Sequence, residues 1–263
     1  MSPTNVVFVS AQVLNNEDLG AGCRLLRLAV PPALDAPATR PGQFVMLRGA
    51  WAHHPMLPRA FSVLDAAAGQ LEILVKVVGR GTRLLAELQR GASLTVLGPL
   101  GRPFPPPVPG VRDLAVGGGS GIPPLYLHAQ RAPADCVVEL LYGGRSAADL
   151  VLNQRIGAAG LLVHCCTEDG SAGQRGRVTE LLEARLDALG SRPGRVLACG
   201  PTPMLKAVAT LCKARGVACW LSLETEMACG IGICRGCSVA HPEGGWRCTC
   251  LDGAVFEAGE VVL

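Results

Sequence analysis

The chain has 263 residues, 49% of them hydrophobic and 17% charged, with a formal charge of +3. That length exceeds one minimal core and suits two compact domains with room for a small third part. The apolar content excludes a disordered chain, and the lack of Lys/Arg runs leaves no electrostatic footprint for nucleic acid or an anionic membrane. The N-terminus, Met1-Ser2-Pro3-Thr4-Asn5, passes directly into Val6-Val7-Phe8-Val9 without a basic region ahead of a long apolar segment. No apolar run approaches the roughly 18 to 20 residues of a spanning helix. A cytoplasmic protein is therefore expected, in which the 12 cysteines serve as metal ligands or buried thiols rather than disulfides.

Up to about residue 100 the chain offers short Val/Leu-rich runs at 5–9, 23–30, 43–48, 61–64, 71–78 and 93–97, separated by turn residues. Six such runs predict a small antiparallel barrel. Within it, Arg59-Ala60-Phe61-Ser62 opens a strand after Pro58. Leu74-Val75-Lys76 leads through Val77 and Val78 into the turn Gly79-Arg80-Gly81-Thr82, ahead of a predicted helix over 83–88. A turn of this kind presents backbone N–H groups to a diphosphate. The proline run at 103–109 cannot continue a central strand or a helix, which puts a domain boundary at 106/107.

Beyond it, apolar runs at 113–116, 137–142, 161–165, 195–199 and 217–223 alternate with helix-like segments such as 178–189 and 203–215, predicting a parallel α/β domain over 107–223. Gly117, Gly118, Gly119, Ser120 and Gly121 follow its first strand and open its first helix, where nucleotide phosphates dock. The run departs from a true G-x-G-x-x-G and continues into Pro123-Pro124. Cys199-Gly200-Pro201 ends a later strand at the same carboxyl edge, so the two loops are expected to form one pocket.

The last part, 224–263, is rich in Gly and Cys and holds no long period of 3.6 or 2. Cys229-x4-Cys234-x2-Cys237 has the spacing of the plant-type ferredoxin run that wraps a [2Fe–2S] cluster. Gly230, Gly232 and Gly236 let the backbone turn tightly and bring N–H groups toward sulfur. Spacing alone leaves the fourth ligand open between Cys248 and Cys250. The alternative is a structural zinc site on Cys234, Cys237, Cys248 and Cys250, although it leaves Cys229 unused. The remaining seven cysteines, among them Cys23, Cys199 and Cys212, read as small buried hydrophobes.

In order and spacing, Arg-x-Phe-Ser (59–62), Gly-x-Gly-Thr (79–82), the 117–121 loop and Cys-Gly-Pro (199–201) resemble the ferredoxin reductase superfamily over the whole chain. More narrowly, Gly98-Pro99-Leu100-Gly101, Thr167-Glu168-Asp169-Gly170-Ser171, Ala198-Cys199-Gly200-Pro201, Ser222-Leu223-Glu224 and Met227-Ala228-Cys229-Gly230-Ile231-Gly232 resemble the electron-transfer subunits of class 1B dihydroorotate dehydrogenase. The resemblance implies a β + α/β fold: an N-terminal antiparallel FAD-binding β-barrel, a parallel-sheet NAD-binding α/β domain and a small C-terminal [2Fe–2S] module. It implies that Arg59, Ala60, Phe61 and Ser62 hold the flavin ring and its linker, and that Leu74, Val75 and Lys76 border the ring. Gly81 and Thr82 would contact the diphosphate, Gly117, Gly118, Gly119, Gly121, Gly200 and Pro201 the nicotinamide nucleotide, and Cys199 would sit near the nicotinamide.

Because the string Asp252-Gly253-x-Val255-Phe256 follows the fourth ligand in that family, the resemblance selects Cys250, with Cys229, Cys234 and Cys237, as the cluster ligands. Ala254 stands where the family often has proline. The implied partner is an FMN-containing catalytic subunit that oxidises dihydroorotate in pyrimidine biosynthesis, in a heterotetramer of two of each. Its electrons would pass through the cluster and FAD to NAD⁺. The competing readings are a subunit of an NAD(P)H:ferredoxin or sulfide-linked oxidoreductase, and a non-catalytic zinc or redox-sensing module. Arg145, near the end of the 137–142 strand, leaves NADH against NADPH undecided.

Overall fold

The computed structural model describes residues 6–51 and 55–263. Six antiparallel strands, β1 (Val7–Gly20), β2 (Cys23–Ala29), β3 (Phe44–Gly49), β4 (Arg59–Ala67), β5 (Gln70–Lys76) and β6 (Ser93–Leu100), close a barrel in the order β1-β2-β5-β4-β3-β6. Alternate residues such as Leu26, Leu28, Val45, Leu47, Val63, Ile73 and Val96 turn inward and fill it. The strand expected at 5–9 is much longer than its apolar run, and Asn5 lies outside the described residues. β1 continues through Asn15-Asn16-Glu17-Asp18, pairing with β6 along its first half and β2 along its second, with a register shift between Val13 and Asn15. Its outer face meets water, so polar residues there cost little and hide the strand from a hydrophobicity reading.

Helix α1 (Arg80–Ala86) begins earlier than expected. The Thr82 hydroxyl accepts from the N–H groups of Val78 and Gly79 (2.9 and 3.1 Å) and donates to the Gly79 carbonyl, so the turn and the helix start form one unit.

The second part runs β7 (Arg112–Gly118), α2 (Pro123–Gln130), β8 (Val137–Gly144), α3 (Asn153–Ala158), β9 (Val163–Thr167), β10 (Gln174–Arg175), α4 (Val178–Leu189), β11 (Gly194–Cys199), α5 (Thr202–Arg215) and β12 (Ala218–Ser222). Its sheet has the order β10-β9-β8-β7-β11-β12, all parallel. Leu114, Val116, Leu141, Val196 and Ala198 pack on one face under α4 and α5. Ala115, Leu140, Tyr142 and Leu197 pack on the other, against α2 and the barrel residues Cys23, Leu25, Leu64 and Leu74. Burial on both faces explains the nearly unbroken apolar runs of these strands. Pro123 and Pro124 occupy the first turn of α2, where a missing N–H does no harm.

At the amino end of the sheet, Asp113 is fully buried between Arg195 and His128. Arg195 donates to its carboxylate through Nε and Nη2 (2.5 and 3.0 Å), the Nε2 of His128 lies 2.8 Å away, and the same guanidinium reaches the Pro106 carbonyl in the proline-rich linker. Burial pushes the Asp113 carboxyl up, but the hydrogen bonds from His128 and Arg195 outweigh it and hold the group below the usual carboxylate range. On the barrel side, Arg155 pairs with Asp65 and Glu72 (3.2 and 2.5 Å), crossing from the α/β part.

The C-terminal part contains a hairpin of β13 (Ser238–Ala240) and β14 (Trp246–Cys248), one turn of helix α6 (Thr249–Asp252), and β15 (Val255–Glu257). β15 adds an antiparallel seventh strand to the α/β sheet, pairing with β12 from Trp220 to Ser222. None of the described helices is long and apolar enough to cross a membrane.

Candidate flavin, nucleotide and cluster sites

In the sheet, β7 and β11 are the adjacent strands from which the chain leaves in opposite directions, since β8 follows β7 on one side and β12 follows β11 on the other. Ligands of open α/β sheets bind outside the strand ends at this reversal. Gly117 pairs with Cys199 across the two strands, and the loops that follow them pack directly together. A Cβ on Gly121 would come within 2.5 Å of the Cys199 carbonyl oxygen, and one on Gly118 within 2.6 Å of Met204 Sδ. Only glycine permits this approach.

A cleft of about 570 Å³ opens above the loops. Of the residues expected at the nucleotide, Gly118, Gly119 and Pro201 line it, Ser120 lies with them, and Lys76 enters from the barrel. Gly117, Gly121 and Gly200 are the packed floor rather than its lining. Cys199 is also beneath the floor, 2% exposed. Burial drives its thiol well above the ordinary cysteine range, and the Glu224 charge adds to this, so it remains a neutral group. Sequence reasoning missed Cys23, Gly143, Asp149 and Arg177, and gave Glu168 no place in the cleft. Cys23, Gly143 and Arg177 stand at a strand end or a helix start and Asp149 in the short turn after β8, where no local pattern marks them, while Glu168 lies in the 167–171 string just after β9.

The segment 167–171 earns its conformation from internal bonds: the Asp169 carboxylate accepts from the Ser171 N–H and hydroxyl (2.9 and 2.6 Å), and the Ser171 hydroxyl accepts from the Ala147 N–H. Asp149 Oδ2 accepts from the N–H groups of Arg145 and Ser146 (3.1 and 3.4 Å) and lies 3.7 Å from Arg145 Nε. Arg145 is therefore paired, with its side chain 84% exposed at the rim.

The flavin signals converge in the barrel. Arg59, Ala60, Phe61 and Ser62 lie consecutively on β4, partly buried, in register with Leu47, Met46, Val45 and Phe44 of β3. The Arg59 guanidinium donates to the Leu57 carbonyl and lies against Gly81, where any Cβ would collide with it. The two sequence-distant motifs thus meet. Leu74 and Val75 are buried, whereas Lys76 donates to the Ala21 carbonyl and faces the nucleotide cleft.

The four predicted ligand cysteines fall into two pairs. Cys237 and Cys250 are buried with their sulfurs 3.3 Å apart, and Cys229 Sγ accepts from the Cys234 N–H at 3.4 Å. Further N–H groups point at sulfur: Ile231 at Cys229 (3.5 Å) and Gly232 at Cys250 (3.2 Å). Burial would raise the Cys229 thiol, but the N–H groups of Cys234 and Ile231 bring it down to about 7. Burial and the neighbouring Cys237 push Cys250 up to about 12. Two sulfurs so close and so buried resist ionising together, and a cationic centre beside them would neutralise the pair.

Gly230 and Gly232 adopt φ of +72° and +77°, as the tight loop requires. Cys248 plays another part: its N–H donates to Asp252 (2.7 Å) and its sulfur faces the Ser238 hydroxyl at 3.8 Å. Among the described residues no three Cys, His, Asp or Glu side chains converge tightly enough to grip a single ion. Paired thiols on a Gly-shaped loop fit a two-iron cluster.

The comparisons agree with this layout. Three family models match: an oxidoreductase FAD-binding domain over 10–104, an oxidoreductase NAD-binding domain over 115–210, and the iron-sulfur cluster binding domain of dihydroorotate dehydrogenase B over 224–262. The dihydroorotate dehydrogenase B (NAD(+)) electron transfer subunit of Bacillus caldolyticus is 42% identical over 235 residues, covering 85% of this chain and 87% of its own. That of Geobacillus thermodenitrificans is 40% identical over 248 residues, 91% and 93% of the two chains. The chain belongs to this family of electron transfer subunits.

A solved NADH-dependent reduced ferredoxin-NADP oxidoreductase, described for flavin-based electron bifurcation, superposes with a TM-score of 0.82 at 27% identity, over 100% of this chain and 91% of that one. A ferredoxin NADP+ reductase from Neisseria gonorrhoeae, 22% identical with a TM-score of 0.62 over 80% of this chain and 92% of its own, shares the fold. The electron transfer subunit family thus supplies an oxidoreductase chain with FAD-, NAD- and iron-sulfur-binding parts, on a ferredoxin reductase-like fold.

Proposed function

We propose that this chain passes electrons between NAD and an FMN-containing dihydroorotate dehydrogenase catalytic subunit, with a [2Fe–2S] cluster on its partner side and FAD between cluster and nucleotide. The observation that carries the reading is the apolar contact joining the cysteine loop to β3 and β6, with β3 paired to the strand of the flavin motif. Gly230 sits against Met46 and Leu100, with room for no Cβ (2.7 and 3.1 Å). Ala60 packs into the same cluster as Met46, Cys237 and Cys250. The cysteine loop and the flavin strand thus share one apolar cluster through Met46, the register partner of Ala60.

Bound flavin supplies the exchange between two-electron hydride chemistry and one-electron transfer. The chain's own residues do the rest. Arg59 through Ser62 and Leu74 through Lys76 would orient the ring, while Gly81 and Thr82 would present N–H groups to the diphosphate. The 117–121 loop with Gly200 and Pro201 would seat the dinucleotide. Cys199, buried and neutral, would shape the floor under the nicotinamide rather than move a proton. Cys229, Cys234, Cys237 and Cys250 would hold the irons. NAD is favoured as the nucleotide because the similar electron transfer subunits are named as NAD(+)-linked. The parts would divide at 106/107 and 223/224, and the assembly would be two copies of each subunit.

The deciding experiment is an anaerobic visible spectrum and metal analysis of the purified chain, followed by NADH and then by the catalytic subunit with orotate. Flavin and iron–sulfur bands that bleach with NADH and recover with partner and orotate support the reading. Bleaching by NADH with recovery only on adding a ferredoxin would transfer the chain to the ferredoxin-linked alternative, and zinc in place of iron would end both.

A further inference from the structure

A second groove, of about 480 Å³, opens where all three parts of the chain meet and shares no lining residue with the nucleotide cleft. One wall is apolar and stiff: the prolines at 103 and 105–107, Phe104 and Val255, with the Trp220 ring held from one side by the Arg195 guanidinium at 5.8 Å. The rest is basic. Arg40 comes from the loop before β3, Arg102 from the linker and Arg131 from the end of α2. No carboxylate lines the groove, whereas three arginines do, in a chain whose total charge is only +3.

The three arginines are prepared to different degrees. Arg131 is locked, donating to the carbonyls of Pro37, Thr39 and Ala66. Arg102 donates to the Asp252 carbonyl at 3.2 Å and meets the Glu260 carboxylate only at 3.5 Å, with both side chains well exposed, a pair that a better anion would outcompete. The Arg40 side chain, exposed at the mouth, makes no hydrogen bond or ion pair among the described residues. Beside it, the Thr39 hydroxyl is fully buried and lacks a hydrogen-bond partner. Carbonyl-bound Arg131 cannot relieve its charge there, since backbone oxygens satisfy N–H groups without neutralising a cation.

We propose that this groove binds an organic anion made of a flat ring and one phosphate group, of the nucleoside monophosphate class, as a site separate from the dinucleotide cleft. Guanidinium forks suit phosphate oxygens, and the proline and tryptophan wall suits the face of a ring. The volume lies within the range of small-molecule sites. Because Arg40 belongs to the barrel region, Arg131 to the α/β part, and Arg102 holds the segment after the cysteines, one bound anion would clamp the junction that carries the flavin and cluster strands.

The test uses the full chain loaded with flavin and cluster, with NAD⁺ at saturation to fill the cleft, and AMP titrated by calorimetry. One further equivalent should bind, with Arg40→Glu weakening it by about tenfold or more and Arg40→Gln by less, as expected for a charge-assisted contact. NADH oxidation with an artificial acceptor should stay at the wild-type rate in both variants, which also reports that they fold. Inorganic phosphate and adenosine, used as separate probes, should each bind more weakly than AMP. Absence of saturable binding, equal affinity in Arg40→Glu, or displacement of AMP by NAD⁺ would overturn the site. Inorganic phosphate binding as tightly as AMP would overturn the assignment of a ring.

Discussion

The sulfurs of Cys237 and Cys250 lie 3.3 Å apart, thirteen positions apart in sequence, and this contact closes the cysteine loop onto α6. Cys250 thereby meets a cysteine of the 229–237 run, whereas Cys248 is occupied with Asp252 and Ser238. Cys250→Ser should therefore lose the iron–sulfur absorbance and most of its iron, whereas Cys248→Ala should keep both. Iron analysis and the visible spectrum of the two purified variants decide it, and the opposite pattern would exchange their roles.

Gly121→Ala tests the floor of the nucleotide cleft. The new methyl would face backbone atoms of Cys199 and Gly200 at 2.5 to 2.8 Å, and backbone cannot rotate aside as a side chain does. Overpacking of this kind costs about 1–3 kcal/mol. The variant should melt lower and show a raised KM for NADH. An unchanged KM would mean that the two loops do not jointly seat the nucleotide.

Gly81→Ala should act on flavin rather than nucleotide. Its Cβ would displace the Arg59 guanidinium from its place against the turn. The expected result is FAD affinity weaker by about tenfold, comparable to losing one charge-assisted hydrogen bond. Flavin content after gel filtration measures it, and retention of full flavin would remove Arg59 from the site.

Asp113 makes stability depend on pH at its acid end. Its folded carboxyl lies below the unfolded value of about 3.9, so its contribution is fully present above that value and is lost as pH falls through the lower folded value. Asp113→Asn should remove that acid-side dependence and, by leaving Arg195 buried without its counter-charge, destabilise the chain by about 3–5 kcal/mol at neutral pH. Denaturant melts of both proteins at several pH values would reveal either part failing.

Cys199 should contribute no ionisation to the pH profile. Burial holds the thiol neutral well into the alkaline range, so stopped-flow NADH oxidation between about pH 6 and 9 should show the same profile shape in Cys199→Ala as in the wild type, even if the rate falls. An alkaline inflection that vanishes in the variant would make the thiol an acid–base group after all.

What was legible in the sequence was what is local. The Cys229–Cys237 spacing, the 117–121 loop and the Gly79–Thr82 turn each lie within ten residues, and the barrel and parallel sheet follow from apolar runs that reflect burial on one or two faces. Contacts across the chain had no such signature. Met46 against Gly230, Arg59 against Gly81, and the entry of Arg177 and Glu168 into the cleft depend on how finished elements dock. β1 was cut short because its solvent face is polar. β15 was hidden for a different reason: three residues carry too little pattern to announce a strand.

That short strand changes what the C-terminal part is. Trp220, Leu221 and Ser222 pair with Glu257, Phe256 and Val255, and Phe256 is buried in the core beneath α5. The cysteine segment is not a bead tied to the end of a nucleotide-binding domain, because it supplies that domain's outermost strand. A chain cut before it would bare the β12 edge, a row of unpaired N–H and carbonyl groups that recruits other strands. Losing the cysteine segment would therefore remove more than its thiols, because the nucleotide-binding sheet would be left with an open edge.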